Sequence, residues 1–249
     1  MKQISMKKIL VFSLFLSALN NPQRTEAQNI LTDSAFYSQS MNKAIRSYTD
    51  GAGASSNLYN GTIYQGYNHH VQGNPFFGDA LQPGTIFYDG VAYPDVPLSY
   101  DLINDQVIIP NNDKSVLIQL LRDKLAYFYS SGHLFIRIIA DSSSVNFPGN
   151  GYYDNLYSGK ATVLARRQKK AQVFGKAEED LSRYVEYDHY YLLLNNRYYE
   201  VKNRGSVLDV FHDKHAEVSH FIRSNKISFK KDPADFLVRT AEYYSQLKN

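Results

Sequence analysis

The strongest local charge feature of the chain is a run of four cations within five residues, Arg166-Arg167-Gln168-Lys169-Lys170. On a strand, Arg167 and Lys169 share one face, and Arg166 and Lys170 share the other. Guanidinium and ammonium groups bind phosphates and carboxylates, so one interpretation is a contact site for an acidic partner, lipopolysaccharide phosphate or a polyanionic glycan. The alternative is a solvated edge strand that charge protects from aggregation.

Paired carboxylates are the second candidate for chemistry. Asp89, Asp95, Asp101 and Asp105 lie in one tyrosine-rich stretch. A glycosidase needs two acids about 5–10 Å apart across one cleft. Asp89 and Asp105 fit turn positions, whereas Asp101 follows Tyr100 on an alternating strand and is predicted to face away from it. Tyr100 and Asp101 therefore join the basic run as candidate binding residues, and a carbohydrate-active hydrolase is an alternative function.

Other catalytic templates fit poorly. Asp209 and His212 lie about one helical turn apart, but His215 falls among apolar residues, so the sequence lacks a three-ligand metal spacing. The segment Ser130-Ser131-Gly132-His133 fits a tight turn better than a nucleophile and its base. The chain has no cysteine, no Gly-x-Ser-x-Gly elbow, no Walker loop and no dinucleotide fingerprint. We therefore expect no metal, no cofactor and no catalytic residue, and enzymatic activity is disfavoured.

The first 27 of the 249 residues have the features of a secretory signal peptide. Three lysines precede an apolar run at residues 9–19, which is shorter than the roughly 20 residues that span a bilayer. Small residues favour cleavage after Ala27, with Ala18 as a weaker alternative. The leader holds all of the net charge of +3, so the mature chain is neutral. We expect an exported protein, periplasmic or extracellular, that does not bind nucleic acid and has no membrane span after cleavage.

Hairpin signals dominate residues 58–204. Turn pairs such as Asn60-Gly61, Asp89-Gly90, Asn104-Asp105 and Asn195-Asn196 separate short segments that alternate in hydrophobicity. About ten or eleven strands are predicted in succession. The predicted fold class is α+β, mainly an antiparallel β meander that forms a curved sheet or a partly open barrel.

Helices are predicted on both sides of this β domain. Residues 28–57 are assigned to an N-terminal helix, over Asp33–Tyr48, and a linker. Residues 205–249 are assigned to a C-terminal helical hairpin that packs on the same domain. Ser206 and Asp209 resemble a capping box, and Asp232-Pro233 predicts the start of the last helix.

The 21 tyrosines suit half-buried strands. Consecutive pairs, Tyr152-Tyr153, Tyr190-Tyr191 and Tyr198-Tyr199, place one ring on each face of a sheet, so one ring of each pair is predicted to be exposed. Ordinary sheet packing and a ligand-stacking platform both remain open for these rings.

Several segments carry a resemblance to known proteins: residues 153–160 (YDNLYSGK), 164–170 (LARRQKK), 96–101 (VPLSYD) and 225–229 (NKISF), with Tyr243-Tyr244 near the end. Together they resemble uncharacterised exported proteins of the Bacteroidota. The resemblance covers most of the mature chain. It implies a Gram-negative periplasmic or exported setting and assigns no catalytic residue.

These observations favour a non-catalytic binding or assembly module of the cell envelope. Its partner is expected to be an envelope protein or a glycan, contacted by the basic run and by exposed tyrosines. The alternatives are the hydrolase that uses acids near Asp89–Asp105 and a carrier in which the curved sheet holds an apolar ligand.

Overall fold

Two-residue turns determine where the strands of the large sheet reverse. The computed structural model describes residues 54–67, 71–139, 145–174 and 181–247. At the predicted Asp89-Gly90 turn both residues have positive φ, +51° and +78°, as a tight hairpin requires. Asn195 and Asn196 also have positive φ, +52° and +59°. These local signals were sufficient to predict two hairpins correctly.

Fourteen strands lie in the described residues, and eleven of them form one antiparallel sheet in the order β1-β6-β5-β4-β3-β7-β8-β9-β10-β13-β14. The strands are β1 (Thr62–Ile63), β2 (Val71–Gln72), β3 (Gln82–Tyr88), β4 (Val91–Asp101), β5 (Gln106–Pro110), β6 (Leu117–Gln119), β7 (Leu125–Ser130), β8 (His133–Ile138), β9 (Gly151–Tyr157), β10 (Thr162–Arg166), β11 (Lys169–Phe174), β12 (Leu181–Glu186), β13 (His189–Leu194) and β14 (Arg197–Val201). A 3₁₀ helix, Ala54–Tyr59, precedes them.

The strand order departs from a simple meander in two places. β7 pairs with β3 and not with β6, which folds back along β5 and takes β1 as its other neighbour. β11 and β12 leave the large sheet and form a second sheet with β2, in which β12 and β2 are parallel. The hairpin predicted at Asn60-Gly61 does not form, because β1 pairs with β6.

The predicted fold class is wrong. The described residues form a mostly antiparallel β structure with C-terminal helices, and the predicted N-terminal helix is not shown. That helix, over residues 33–48, and the predicted signal peptide, over residues 1–27, lie outside the described residues. The distant pairings of β3 with β7 and of β12 with β2 depend on tertiary packing, which turn signals do not encode.

Three helices follow the last strand: α1 (Arg204–Val210), α2 (His215–Ser224) and α3 (Pro233–Gln246). A short 3₁₀ turn, His212–Lys214, separates α1 from α2. Asp232 caps α3 by accepting from the backbone N–H of Asp235, as predicted. The capping box of α1 lies three residues before the predicted one, because Asn203 and Ser206 exchange the two hydrogen bonds. None of the described helices is long and apolar enough to cross a membrane.

The sheet buries side chains on both of its faces. One aromatic cluster contains Tyr100, Phe128, Phe135 and Tyr152. A second cluster packs β10, β13 and β14 against the three helices, and a third surrounds Tyr153 on the other side of the sheet. Tyr152 and Tyr153 are therefore both buried, so the prediction that one ring of that pair is exposed was wrong.

Candidate functional site

Tyr100 and Asp101, two of the predicted binding residues, are buried. The Tyr100 hydroxyl donates to Asp105 Oδ1 over 2.7 Å. Asp101 accepts from the Tyr67 hydroxyl over 2.6 Å and from the backbone N–H of Ile103 over 2.8 Å. Burial and the hydrogen bond to Asp101 raise the pKa of Tyr67, so this phenol stays protonated as a donor. Asp101 thus connects the β4–β5 turn to residues 64–67 by internal hydrogen bonds.

Two aspartates of this stretch, Asp89 and Asp101, lie at opposite ends of β4. Asp89 lies in the turn just before β4, where it forms an ion pair of 2.8 Å with Lys124. Asp101 lies at the opposite end of that strand. Asp105 faces inward, where it accepts from Tyr100 and lies 3.8 Å from the guanidinium of Arg166. The structure therefore does not place Asp89 and Asp101 as the two acids of a glycosidase.

The two arginines of the basic run make internal contacts. Arg167 donates to Asp154 Oδ2 from Nε over 3.0 Å and from Nη2 over 2.8 Å, and its Nη1 contacts Asp188. Arg166 donates to the Tyr153 hydroxyl over 3.0 Å. Asp154 is 1% exposed and Arg167 is 12% exposed, so this ion pair is buried.

The two lysines of the run begin β11 and differ in their surroundings. Lys169 donates to the backbone carbonyl of Phe76 over 2.7 Å and lies 3.3 Å from Glu186. Lys170 is exposed, with its ammonium 5.3 Å from the centre of the Tyr187 ring. Lys170 is thus the member of the run that remains open to solvent.

A histidine–aspartate contact lies next to the arginine pair. His133 Nδ1 is 2.9 Å from Asp154 Oδ2, and the His133 ring packs edge-on against Phe77 with centroids 5.0 Å apart. An oriented histidine is one component of nucleophilic catalysis. Here the carboxylate is already bound by Arg167, so the arrangement is a polar cluster that joins β8 to β9.

The described surface has an open groove of about 570 Å³ at the β14 edge of the large sheet. We call it the β14-edge groove. Strand residues, residues before β9 and residues of α1 line it. These are Tyr191, Tyr198, Tyr199 and Glu200, then Asn146 and Pro148, and then Ser206, Asp209 and Val210.

Local structure positions the groove residues. Tyr198 and Tyr199 point to opposite faces of β14, so the groove extends around the edge of the sheet from one face to the other. The Asn203–Ser206 capping box holds the first turn of α1 directly after β14. The Tyr198 ring packs edge-on against Phe147, with centroids 5.9 Å apart.

Neighbouring groups and burial determine the protonation states of Glu200 and Tyr191 in the groove. Glu200 accepts from His189 over 3.0 Å, and its other oxygen lies 3.0 Å from the ammonium of Lys202. Hydrogen bonds from His189 and Lys202 lower the pKa of Glu200, so its carboxylate is charged at neutral pH. Burial raises the pKa of Tyr191 to about 12, which keeps its hydroxyl protonated.

Sequence reasoning identified some groove residues for other reasons. The sequence predicts Tyr198 and Tyr199 as a pair with one ring on each sheet face, and it offers Asp209 as a candidate metal ligand. Glu200 was not recognised, although its position directly after the tyrosine pair was a usable signal. In the part of the chain that the structure describes, no group of three His, Asp or Glu side chains could hold a metal ion.

Comparison with known proteins does not add a relative. No family model, no curated protein and no solved structure matches this chain.

Proposed function

We propose that this protein is a non-catalytic binding module that holds its ligand in the β14-edge groove. The supporting observation is the groove itself: an open concavity of about 570 Å³ in which tyrosine hydroxyls and two carboxylates border the β14 edge of the large sheet. Its volume lies within the usual range of about 300–1,000 Å³ for ligand pockets. Aromatic walls with a few polar groups are typical of recognition sites.

The protonation states of the groove residues support binding over acid catalysis. A carboxylic acid that donates a proton near neutral pH needs a raised pKa. Glu200 has the opposite perturbation, because His189 and Lys202 stabilise its charged form. Tyr191 is held neutral by burial. These groups therefore offer a stable arrangement of one anion and one hydroxyl donor to a ligand.

The ligand test uses two libraries and one pair of matched variants. A random heptapeptide phage library and a glycan array are each screened against the native chain, Asp209→Arg and Asp79→Arg. Both aspartates are exposed, but only Asp209 lines the groove. We expect ligands captured by the native chain and by Asp79→Arg to bind Asp209→Arg at least tenfold more weakly. Ligands that bind both variants equally, or no ligand from either library, would contradict the proposal.

We also propose that the module acts after export from a Gram-negative cell, in the periplasm or outside. The signal-peptide features of residues 1–27 support this proposal. The full chain is expressed in a Gram-negative host and fractionated. Mature protein that begins at Gln28 in the periplasm or medium is expected, and cytosolic protein that retains Met1 is the contrary result.

A further inference from the structure

Among the residues that the structure describes, the strand that borders the groove is an edge strand of the large sheet. β14 is the last strand of the large sheet and pairs on one side with β13. The N–H of Tyr198 donates over 3.0 Å to the carbonyl of Val145, on the side away from β13. Because backbone groups alternate in direction along a strand, the N–H and C=O of Glu200 face that same side.

A short contact covers only the first part of this edge. Val145 forms a one-residue parallel bridge with Arg197, completed by a hydrogen bond of 3.4 Å from its N–H to the carbonyl of Asn196. Three residues after Arg197, the edge at Glu200 borders the groove. Among the described residues no further strand lies beside it.

We infer that the ligand of the groove is an extended peptide segment of a partner protein, which adds a strand to β14 beside Glu200. This inference depends on the proposed binding function and specifies its ligand class. Strand addition satisfies the backbone groups of an exposed edge, and the pockets on either face select alternate side chains. Beyond the Val145 contact, about three residues of β14 have no strand beside them in the described ranges, so the contact matches a segment of about three to five residues.

The aromatic rings favour a peptide over a sugar. A sugar needs exposed ring faces for stacking, but Tyr198 is 8% exposed and packs against Phe147. The Tyr191 ring is likewise engaged, edge-on with Tyr153 at 5.9 Å. Tyr199, the third groove tyrosine, is partly buried against the second cluster. The groups most open to a ligand are therefore hydroxyls, carboxylates and the strand edge, which match the donors and acceptors of a peptide backbone.

Charge indicates one property of the peptide. Asp209 is exposed on α1, and no ion pair or hydrogen bond joins its carboxylate to another described residue. The Glu200 carboxylate, in contrast, is already paired with Lys202 and His189. A lysine or arginine of the ligand that reaches α1 therefore complements Asp209.

Peptides selected from the heptapeptide library are synthesised, and their affinity for the folded native chain is measured by fluorescence anisotropy. Each backbone nitrogen is then methylated in turn. For strand addition, methylation at alternate positions weakens binding about tenfold or more, as expected for loss of a backbone hydrogen bond and for a steric clash, and intervening positions tolerate it. Selected sequences are expected to contain a basic residue and to lose affinity in Asp209→Asn.

Two variants of one strand position test the protein side of the same bond. Glu200→Pro removes the outward N–H, whereas Glu200→Gln removes only the charge. Glu200→Pro is expected to weaken binding about tenfold more than Glu200→Gln, with circular dichroism confirming that both fold. If Glu200→Pro does not fold, the methylated peptides alone decide the question.

The outcomes separate this inference from the proposed function. Groove-dependent peptides that tolerate methylation at each position would overturn strand addition and leave a binding module. Groove-dependent glycans in the absence of peptides would overturn the peptide class and also leave a binding module. If neither library gives a ligand sensitive to Asp209→Arg, both proposals fail.

Discussion

Removing the guanidinium of Arg167 tests whether the basic run is structural. Arg167→Met leaves the Asp154 carboxylate, 1% exposed, with His133 as its remaining side-chain partner. Breaking a buried ion pair from one side costs about 3–5 kcal/mol. Asp188, 21% exposed, can regain hydration, so we expect a loss near the lower limit, about 3 kcal/mol in the free energy of unfolding.

Urea denaturation followed by far-ultraviolet circular dichroism measures this loss. The matched control is Lys170→Met, an exposed cation in the same run, which is expected to change stability by less than about 0.5 kcal/mol. In Asp154→Asn with Arg167→Met, the combined loss is expected to fall about 1–3 kcal/mol short of the sum of the single losses. A loss below about 1 kcal/mol for Arg167→Met, or equal losses for the two cations, would refute the buried-pair reasoning.

Three further changes test other parts of the structure. Gly84→Ala is expected to lower the free energy of unfolding by roughly 1–3 kcal/mol, because the added Cβ would collide with the backbone carbonyl of Tyr129 in the neighbouring strand. Thermal denaturation measures this loss, and an unchanged midpoint would contradict the pairing of β3 with β7. Burial raises the pKa of Tyr191 to about 12, so the contribution of Tyr191 to stability is complete below its unfolded pKa of 10.0 and is lost as pH rises through about 12. Titration of the folded chain, followed by tyrosinate absorbance, should lose a late step in Tyr191→Phe. An unchanged titration would refute this. Asn203→Ala is expected to cost about 1 kcal/mol in urea denaturation, whereas Asn203→Asp keeps the acceptor oxygen for Ser206 and should cost less.

Local chemistry explains which elements could be predicted. The Asp89-Gly90 and Asn195-Asn196 turns formed as predicted, because positive φ is a property of the turn residues themselves. The Asp232 cap also formed as predicted, since its partner is only three residues away. The placement of β7 beside β3 could not be predicted in this way. It brings residues about 40 positions apart into register, as for Ile86 and Phe128, and depends on the packing of a shared core.

The same distinction applies to the site. Residue types alone marked the basic run and the tyrosine pairs as candidates for contact. Burial then decided their roles: Arg167 pairs with Asp154, 13 residues earlier on the adjacent strand, and is thereby withdrawn from the surface. Asp101 is likewise occupied by hydrogen bonds from residues 34 and 37 positions away. No local sequence pattern predicts these partners, because the pairing of strands decides which distant residues come into contact.

The amino-acid order by itself determined the strand-rich middle of the chain, the reversal points at its strongest turns and the helical character of its last forty residues. These properties follow from hydrophobic alternation and from backbone preferences that act over a few residues. Only the tertiary structure decided that β14 ends the sheet and that residues as distant as Asn146 and Val210 meet beside it in one groove. The position of β14 and the formation of the groove depend on long-range strand order and on helix packing, which arise when the whole core is assembled.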